Sequence, residues 1–135
     1  MRLEKQMRIL VTAVGTVNGT FVVDELKKSY GCSIYVIGAN CTPKEYVVVS
    51  KFVDEYFEFP LAVENKQYYL NYVLEFCTHH HVSHIICFID EEVESFTKNR
   101  KLFEERNIKL CLPSYDTVVI CHFKDMFTDW INNVL

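Results

Sequence analysis

Short apolar runs alternate along the chain with segments whose apolar residues recur at helical spacing. The runs are Ile9-Leu10-Val11, Ile34-Tyr35-Val36-Ile37, Tyr56-Phe57-Glu58-Phe59, Ile85-Ile86-Cys87-Phe88-Ile89 and Ile108-Lys109-Leu110-Cys111-Leu112. Several are apolar at successive positions, which suits parallel strands covered on both faces. Between them the period changes. Phe21, Val22, Glu25, Leu26 and Tyr30 predict one helix, and Leu70, Val73, Leu74 and Cys77 predict a second at i, i+3, i+4, i+7. Phe96, Leu102 and Phe103 predict a third, less regular one. Phe127, Trp130, Ile131 and Val134 mark one side of a last helix from Lys124 to Leu135.

Cap chemistry sets the boundaries. Thr42-Pro43-Lys44-Glu45 reads as a capping box with proline at the first helical position, so a short helix is expected through Val47-Val48-Val49. Asn65 is placed to cap the helix that runs to His81, Asp90 the next, and Ser114 a turn through Val118–Ile120. Five strand–helix repeats make βαβ units. Right-handed crossovers then give an α/β fold: a three-layer α/β/α sandwich on a parallel five-stranded sheet. The expected strand order is 3-2-1-4-5, since nothing in the chain supports 2-1-3-4-5. One domain over 7–121 is expected, followed by a C-terminal helix over 122–135, with residues 1–6 as a frayed lead-in.

Composition narrows the class. The chain has 135 residues, half of them hydrophobic and 24% charged, which suits a folded domain and excludes a disordered one. The net charge of -4 makes a non-specific nucleic-acid binder a poor candidate, because that function needs a basic face. No apolar run approaches the roughly 18 residues of a membrane span, and the polar N-terminus lacks a signal-peptide pattern. A soluble cytoplasmic protein is expected. No two of the six cysteines form a C-x-x-C pair, so they are read as small buried apolar residues in a reducing compartment.

In an open parallel sheet, ligands bind beyond the carboxyl ends of the strands, near the switch in strand order. With order 3-2-1-4-5, the loop Gly15-Thr16-Val17-Asn18-Gly19 would face the turn at Asp90. The first loop opens a helix, whose N–H groups and dipole can hold an anion; a plain strand-to-helix turn explains it equally well. The G-x-G-x-x-G spacing fails from either glycine, and Asn40 stands where an acidic residue would read a ribose, so a nicotinamide cofactor is not expected. Asp90-Glu91-Glu92 supplies either favourable charge at a helix N-terminus or a cluster that orients a polar or cationic substrate group. His79-His80-His81 and His84 are expected at the far end of the sheet as exposed partners of a helix C-terminus rather than as metal ligands.

In series, the motifs resemble a known family. Arg8-Ile9-Leu10-Val11-Thr12-Ala13-Val14-Gly15 with Gly19 and Leu26-Lys27-Lys28 resembles the opening of ATP-grasp enzymes related to the carbamoyl phosphate synthetase large subunit. Val36-Ile37-Gly38-Ala39-Asn40, Ile89-Asp90-Glu91-Glu92, Lys98-Asn99-Arg100-Lys101-Leu102-Phe103 and Ile120-Cys121-His122-Phe123-Lys124 follow in the family's order. Ala13, Thr16, Asn40 and Phe123 stand where glycine, glycine, aspartate and aspartate are common. The resemblance implies a Rossmann-like pre-ATP-grasp domain that forms one wall of the active-site cleft. It assigns Gly15, Thr16, Asn18, Gly19, Asn40, Asp90 and Glu91 to the substrate side and Lys124 to the nucleotide. ATP and magnesium would serve the parent enzyme, which joins an amine to an activated carboxylate; neither is expected to bind this chain tightly on its own.

The implied partners are an ATP-grasp domain, as missing C-terminal sequence or a separate chain, and a small-molecule substrate. The last helix's apolar stripe would meet that domain or a second copy in a homodimer, unless it simply packs on the sheet. The competing reading is a free-standing Rossmann-like module that binds a nucleotide or a protein without catalysis.

Overall fold

The computed structural model describes residues 6–134. The lead-in reading for residues 1–5, and the last position of the C-terminal helix, Leu135, lie outside the described residues. Gln6 is tied down rather than frayed: its side-chain amide donates to the carbonyls of Cys32 at 2.7 Å and Ile34 at 3.1 Å.

Five strands, β1 (Met7–Val11), β2 (Ile34–Asn40), β3 (Glu55–Glu58), β4 (His84–Ile86) and β5 (Lys109–Leu110), pair in parallel in the order β3-β2-β1-β4-β5. Both faces are covered because successive residues of one strand enter different cores. Ile9 and Val11 pack with Val23 of α1 (Val17–Tyr30) and with Val47 and Val49 of the β2–β3 crossover. Leu10 packs on the opposite face with Leu70, Val73, Leu74 and Cys77 of α2 (Lys66–His79) and with Phe96 of α3 (Asp90–Lys98). Phe103 of α4 (Arg100–Glu104) completes that core. α5 (Tyr115–His122) packs on α3, and α6 (Lys124–Val134) on α5.

The caps at Asn65 and Ser114 form as expected, accepting from the N–H groups of Tyr68 at 2.9 Å and Thr117 at 3.2 Å. Four further expectations are corrected. The Thr42 capping box forms no α-helix: the crossover is two 3-10 turns, Lys44–Tyr46 and Val48–Lys51. Val47 and Val49 enter the core while Val48 faces water, an alternation that an α-helix cannot provide. Asp90 is the first helical residue rather than the cap; the cap position is Ile89. Four of the six cysteines, Cys32, Cys41, Cys111 and Cys121, are exposed, and only Cys77 and Cys87 are buried.

The fourth correction concerns α1. Its buried positions are Gly19 and Val23, while Phe21 and Tyr30 face solvent. A Cβ on Gly19 would lie 2.6 Å from the Ala13 carbonyl oxygen and 2.7 Å from Val14 Cα, so the helix rests directly on the turn that follows β1.

The histidine run has a conformational role at the end of α2. His81 sits at φ 55°. The N–H of Val82 donates to the Cys77 carbonyl at 2.9 Å and that of His81 to Thr78 at 3.4 Å, the paired bonds of a Schellman closure. The stripe on α6 does not pack on the sheet: Phe127 is 41% exposed and Trp130 48%. No helix among the described residues is long and apolar enough to cross a membrane.

Candidate functional site at the carboxyl ends of the strands

β1 ends at Val11, and the chain then turns through Thr12–Thr16 into α1. Val14 N–H donates to the Ala39 carbonyl at 3.1 Å and Thr12 N–H to Ile86 at 3.0 Å, which joins this turn to the ends of β2 and β4. Ala13 holds the turn at φ 47°, a left-handed conformation that glycine adopts with less strain. Thr16 caps α1 in both directions. Its hydroxyl donates to the Ala13 carbonyl at 2.8 Å and accepts from Gly19 N–H at 3.1 Å. The first helical bond outside this cap runs from Thr20 N–H to the Thr16 carbonyl at 2.9 Å, so the N–H groups of Val17 and Asn18 remain directed at the rim. Thr16 and Asn18 are exposed, and no acidic residue lies in the first turn of the helix.

Asn40, half-buried at the end of β2, leans over this turn. A Cβ on Gly15 would meet its side-chain amide, so a larger residue there would displace Asn40. The Asn40 Oδ1 accepts from Cys41 N–H at 2.9 Å. Gly15 and Asn40 are thus in contact, and the glycine turn and the acidic turn share one rim of the sheet.

The three carboxylates of the acidic turn diverge. Asp90 is exposed and lines a concavity of about 410 Å³ with Thr117, Cys121 and His122 of α5. Glu91 is half-buried. Glu92 is only 1% exposed and reaches the glycine-turn strand. It accepts from the Thr12 hydroxyl at 2.6 Å and from the Tyr69 hydroxyl of α2, and it is also hydrogen-bonded by the Ile89 backbone. Burial pushes its carboxyl above the usual carboxylate range; these three donors oppose that shift. Tyr69 is held far above an ordinary phenol, by burial first and by the Glu92 charge second. Glu92, Tyr69, Asn40, Ala13 and Ile89 together line a small cleft of about 30 Å³.

Glu92 therefore ties three elements together at the rim, a role the sequence reading did not assign to it. Its signal was present: it stands one turn before Phe96, on the buried face of α3. Lys124 opens α6, exposed, and does not join the cleft. Among the described residues, no three His, Cys, Asp or Glu side chains stand together as a metal site. His80 stacks on Phe76 with ring centroids 4.1 Å apart, and burial lowers its pKa. His84 bonds Ser83 at 2.9 Å and is likewise lowered, by burial first and Lys109 second.

A family model described as the N-terminal domain of PylC-like proteins matches residues 9–111. No match was found among curated proteins. The biotin carboxylase domain dimer of Hydrogenobacter thermophilus 2-oxoglutarate carboxylase, solved with MgADP, ADP and bicarbonate, superposes with a TM-score of 0.62 at 14% identity, over 96% of this chain and 28% of that one. A biotin carboxylase domain of a thermophilic 2-oxoglutarate carboxylase, bound to bicarbonate, gives 0.64 at 14% identity, with the same coverages of 96% and 28%. An L-threonine dehydrogenase from Clostridium difficile gives 0.55 at 19% identity, over 78% of this chain and 35% of that one. At these identities the likeness is one of fold. The chain spans 28% of the length of the two carboxylase structures.

Proposed function

The chain belongs to the family of PylC-like N-terminal domains, and from that premise we propose that it forms one wall of the active-site cleft of a cytoplasmic ATP-grasp ligase. The parent reaction would be ATP-dependent joining of an amine to a carboxylate, as in enzymes related to carbamoyl phosphate synthetase. The observation that carries this reading is the family match across 9–111, which reaches all five strands. The fold shared with the carboxylase domains supports it, and one of those was solved with MgADP and bicarbonate.

On this reading the turn into α1 faces the substrate together with Asn40 through Gly15, Thr16 and Asn18, which are exposed, while Gly19, buried against the Ala13 and Val14 backbone, holds that turn in place. Asp90 and Glu91 would meet its polar or cationic groups, and Lys124 would approach the nucleotide. The Asp90–Glu91 carboxylates repel phosphate, which supports placing the magnesium nucleotide on another domain. The phosphoryl-transfer machinery is therefore assigned to an ATP-grasp domain outside this sequence, and no step of that chemistry is drawn on these residues.

The test is ATP hydrolysis by the chain with magnesium and candidate amines, first alone and then with an ATP-grasp domain supplied in trans or fused after α6. The chain alone should give no turnover, and the assembled enzyme should. Asp90→Asn and Glu91→Gln should then raise the KM for the acceptor substrate more than they lower kcat. Robust turnover by the chain alone would overturn the reading.

A further inference from the structure

A groove enclosing about 900 Å³ runs along α1, between that helix and the crossover from β2 to β3. Val17 and Phe21 line it from α1, and Phe52 from the crossover. Phe21 and Phe52 are each 63% exposed, and Val17 more so. Large apolar side chains gathered on one surface mark an association site. The groove also carries both signs of charge. Lys27 and Asp54 join across it as an ion pair. Asp24 lies on the helical wall, bonded only to Lys28 of its own helix, and Lys51 lies on the crossover wall with no ion pair among the described residues.

We propose that this groove is the interface of a symmetric homodimer, covered by the same groove of a second copy. The argument is self-complementarity, which a two-fold interface requires. A two-fold axis lying in the interface and parallel to α1 exchanges the two walls. The helix of each copy then meets the crossover of the other. Phe21 of one copy faces Phe52 of the other, and Asp24 faces Lys51, each pairing occurring twice. Setting like wall on like wall instead would turn carboxylate toward carboxylate and ammonium toward ammonium. Gly15 and Thr20 lie in the same groove, so the second copy would also shield one side of the glycine turn. The proposal stands independently of the ligase reading, since it uses none of the rim carboxylates.

Light scattering on the full chain across a concentration series tests it. The expected mass at high concentration is about twice the 15.9 kDa of one chain. Phe21→Ser and Phe52→Ser should each weaken the dimer by on the order of tenfold or more, with circular dichroism unchanged because both residues face solvent. Asp24→Lys and Lys51→Glu should each weaken it, and the two reversals combined in one chain should restore it. A monomer at every concentration would overturn the proposal and leave the groove to a different partner. So would a dimer that survives the Phe changes but is lost in Trp130→Ser, which would place the interface on α6. Failure of the combined reversal to restore association would refute the wall-exchanging arrangement.

Discussion

Removing the Glu92 carboxyl tests how the rim is held together. In Glu92→Ala, the hydroxyls of Thr12 and Tyr69 lose their acceptor at positions only 1% and 4% exposed. A buried polar group left without a partner costs about 1–3 kcal/mol, so the pair costs about 2–6 kcal/mol. For a domain of this length that corresponds to a drop in Tm of about 7–20 °C. Glu92→Gln is far milder, of order 1 kcal/mol or less at neutral pH, because the amide oxygen accepts from one hydroxyl while the other rotates to accept from the amide NH2. The two variants also differ in pH dependence. The folded-state pKa of Glu92 is raised, chiefly by burial. The folded chain therefore keeps this proton after the unfolded chain has lost it. The stability it contributes is fully present below the ordinary glutamate value and falls as pH rises toward the folded value. Glutamine cannot ionise and adds no such slope. Thermal unfolding followed by circular dichroism between about pH 4 and pH 8 should show Glu92→Gln gaining on the parent chain as pH rises, and Glu92→Ala far below both throughout. An alanine variant within about 1 kcal/mol of the parent, or a glutamine-to-parent gap independent of pH, would refute the reasoning.

Gly19→Ala should destabilise by about 1–3 kcal/mol or more, since the added methyl meets backbone at 2.6 and 2.7 Å and neither side can yield; a denaturant titration reads this as a lower midpoint. His81→Gly should raise stability by about 0.5–1 kcal/mol, because an exposed residue at φ 55° gives way to one without a Cβ penalty; an unchanged or lower midpoint would count against the Schellman closure of α2. Tyr69→Phe should cost about 1 kcal/mol, and less than that in the Glu92→Ala background, where the hydroxyl has already lost its acceptor; additive losses would show that the two side chains act separately. Trp130→Ser should leave the monomer's stability within about 0.5 kcal/mol of the parent, and a large loss would mean that α6 belongs to the core.

The sheet was legible because a buried parallel strand needs apolar residues at successive positions: β1, β2 and β4 carry such runs, and the edge strands β3 and β5 are marked by apolar runs interrupted at Glu58 and Lys109. The face of α2 was legible for a related reason: Leu70, Val73, Leu74 and Cys77 carry the hydrophobic signal that buries them. The face of α1 was not, because one of its two buried positions is Gly19, which is set against the Ala13–Val14 backbone and has no side chain to score. Periodicity then favoured Phe21 and Tyr30, and the backbone contact turned them outward. The valines of the crossover misled in the opposite direction. A proline and a plausible cap outweighed β-branched alternation, which then decided the structure. The rim shows a third limit. Glu92 looks like one of three dipole-complementing carboxylates, and what sets it apart is contact with Thr12 and Tyr69, which lie 80 and 23 residues away in sequence. Such partners follow from strand order rather than local pattern, so helical spacing to Phe96 could have marked Glu92 as the inward-facing carboxylate but could not have named what it anchors. The error on α1 also bears on association. The face of α1 that carries Gly19 and Val23 meets the rest of the chain, so Phe21, on the other side of the helix, keeps its hydrophobic driving force for a surface that another molecule must supply.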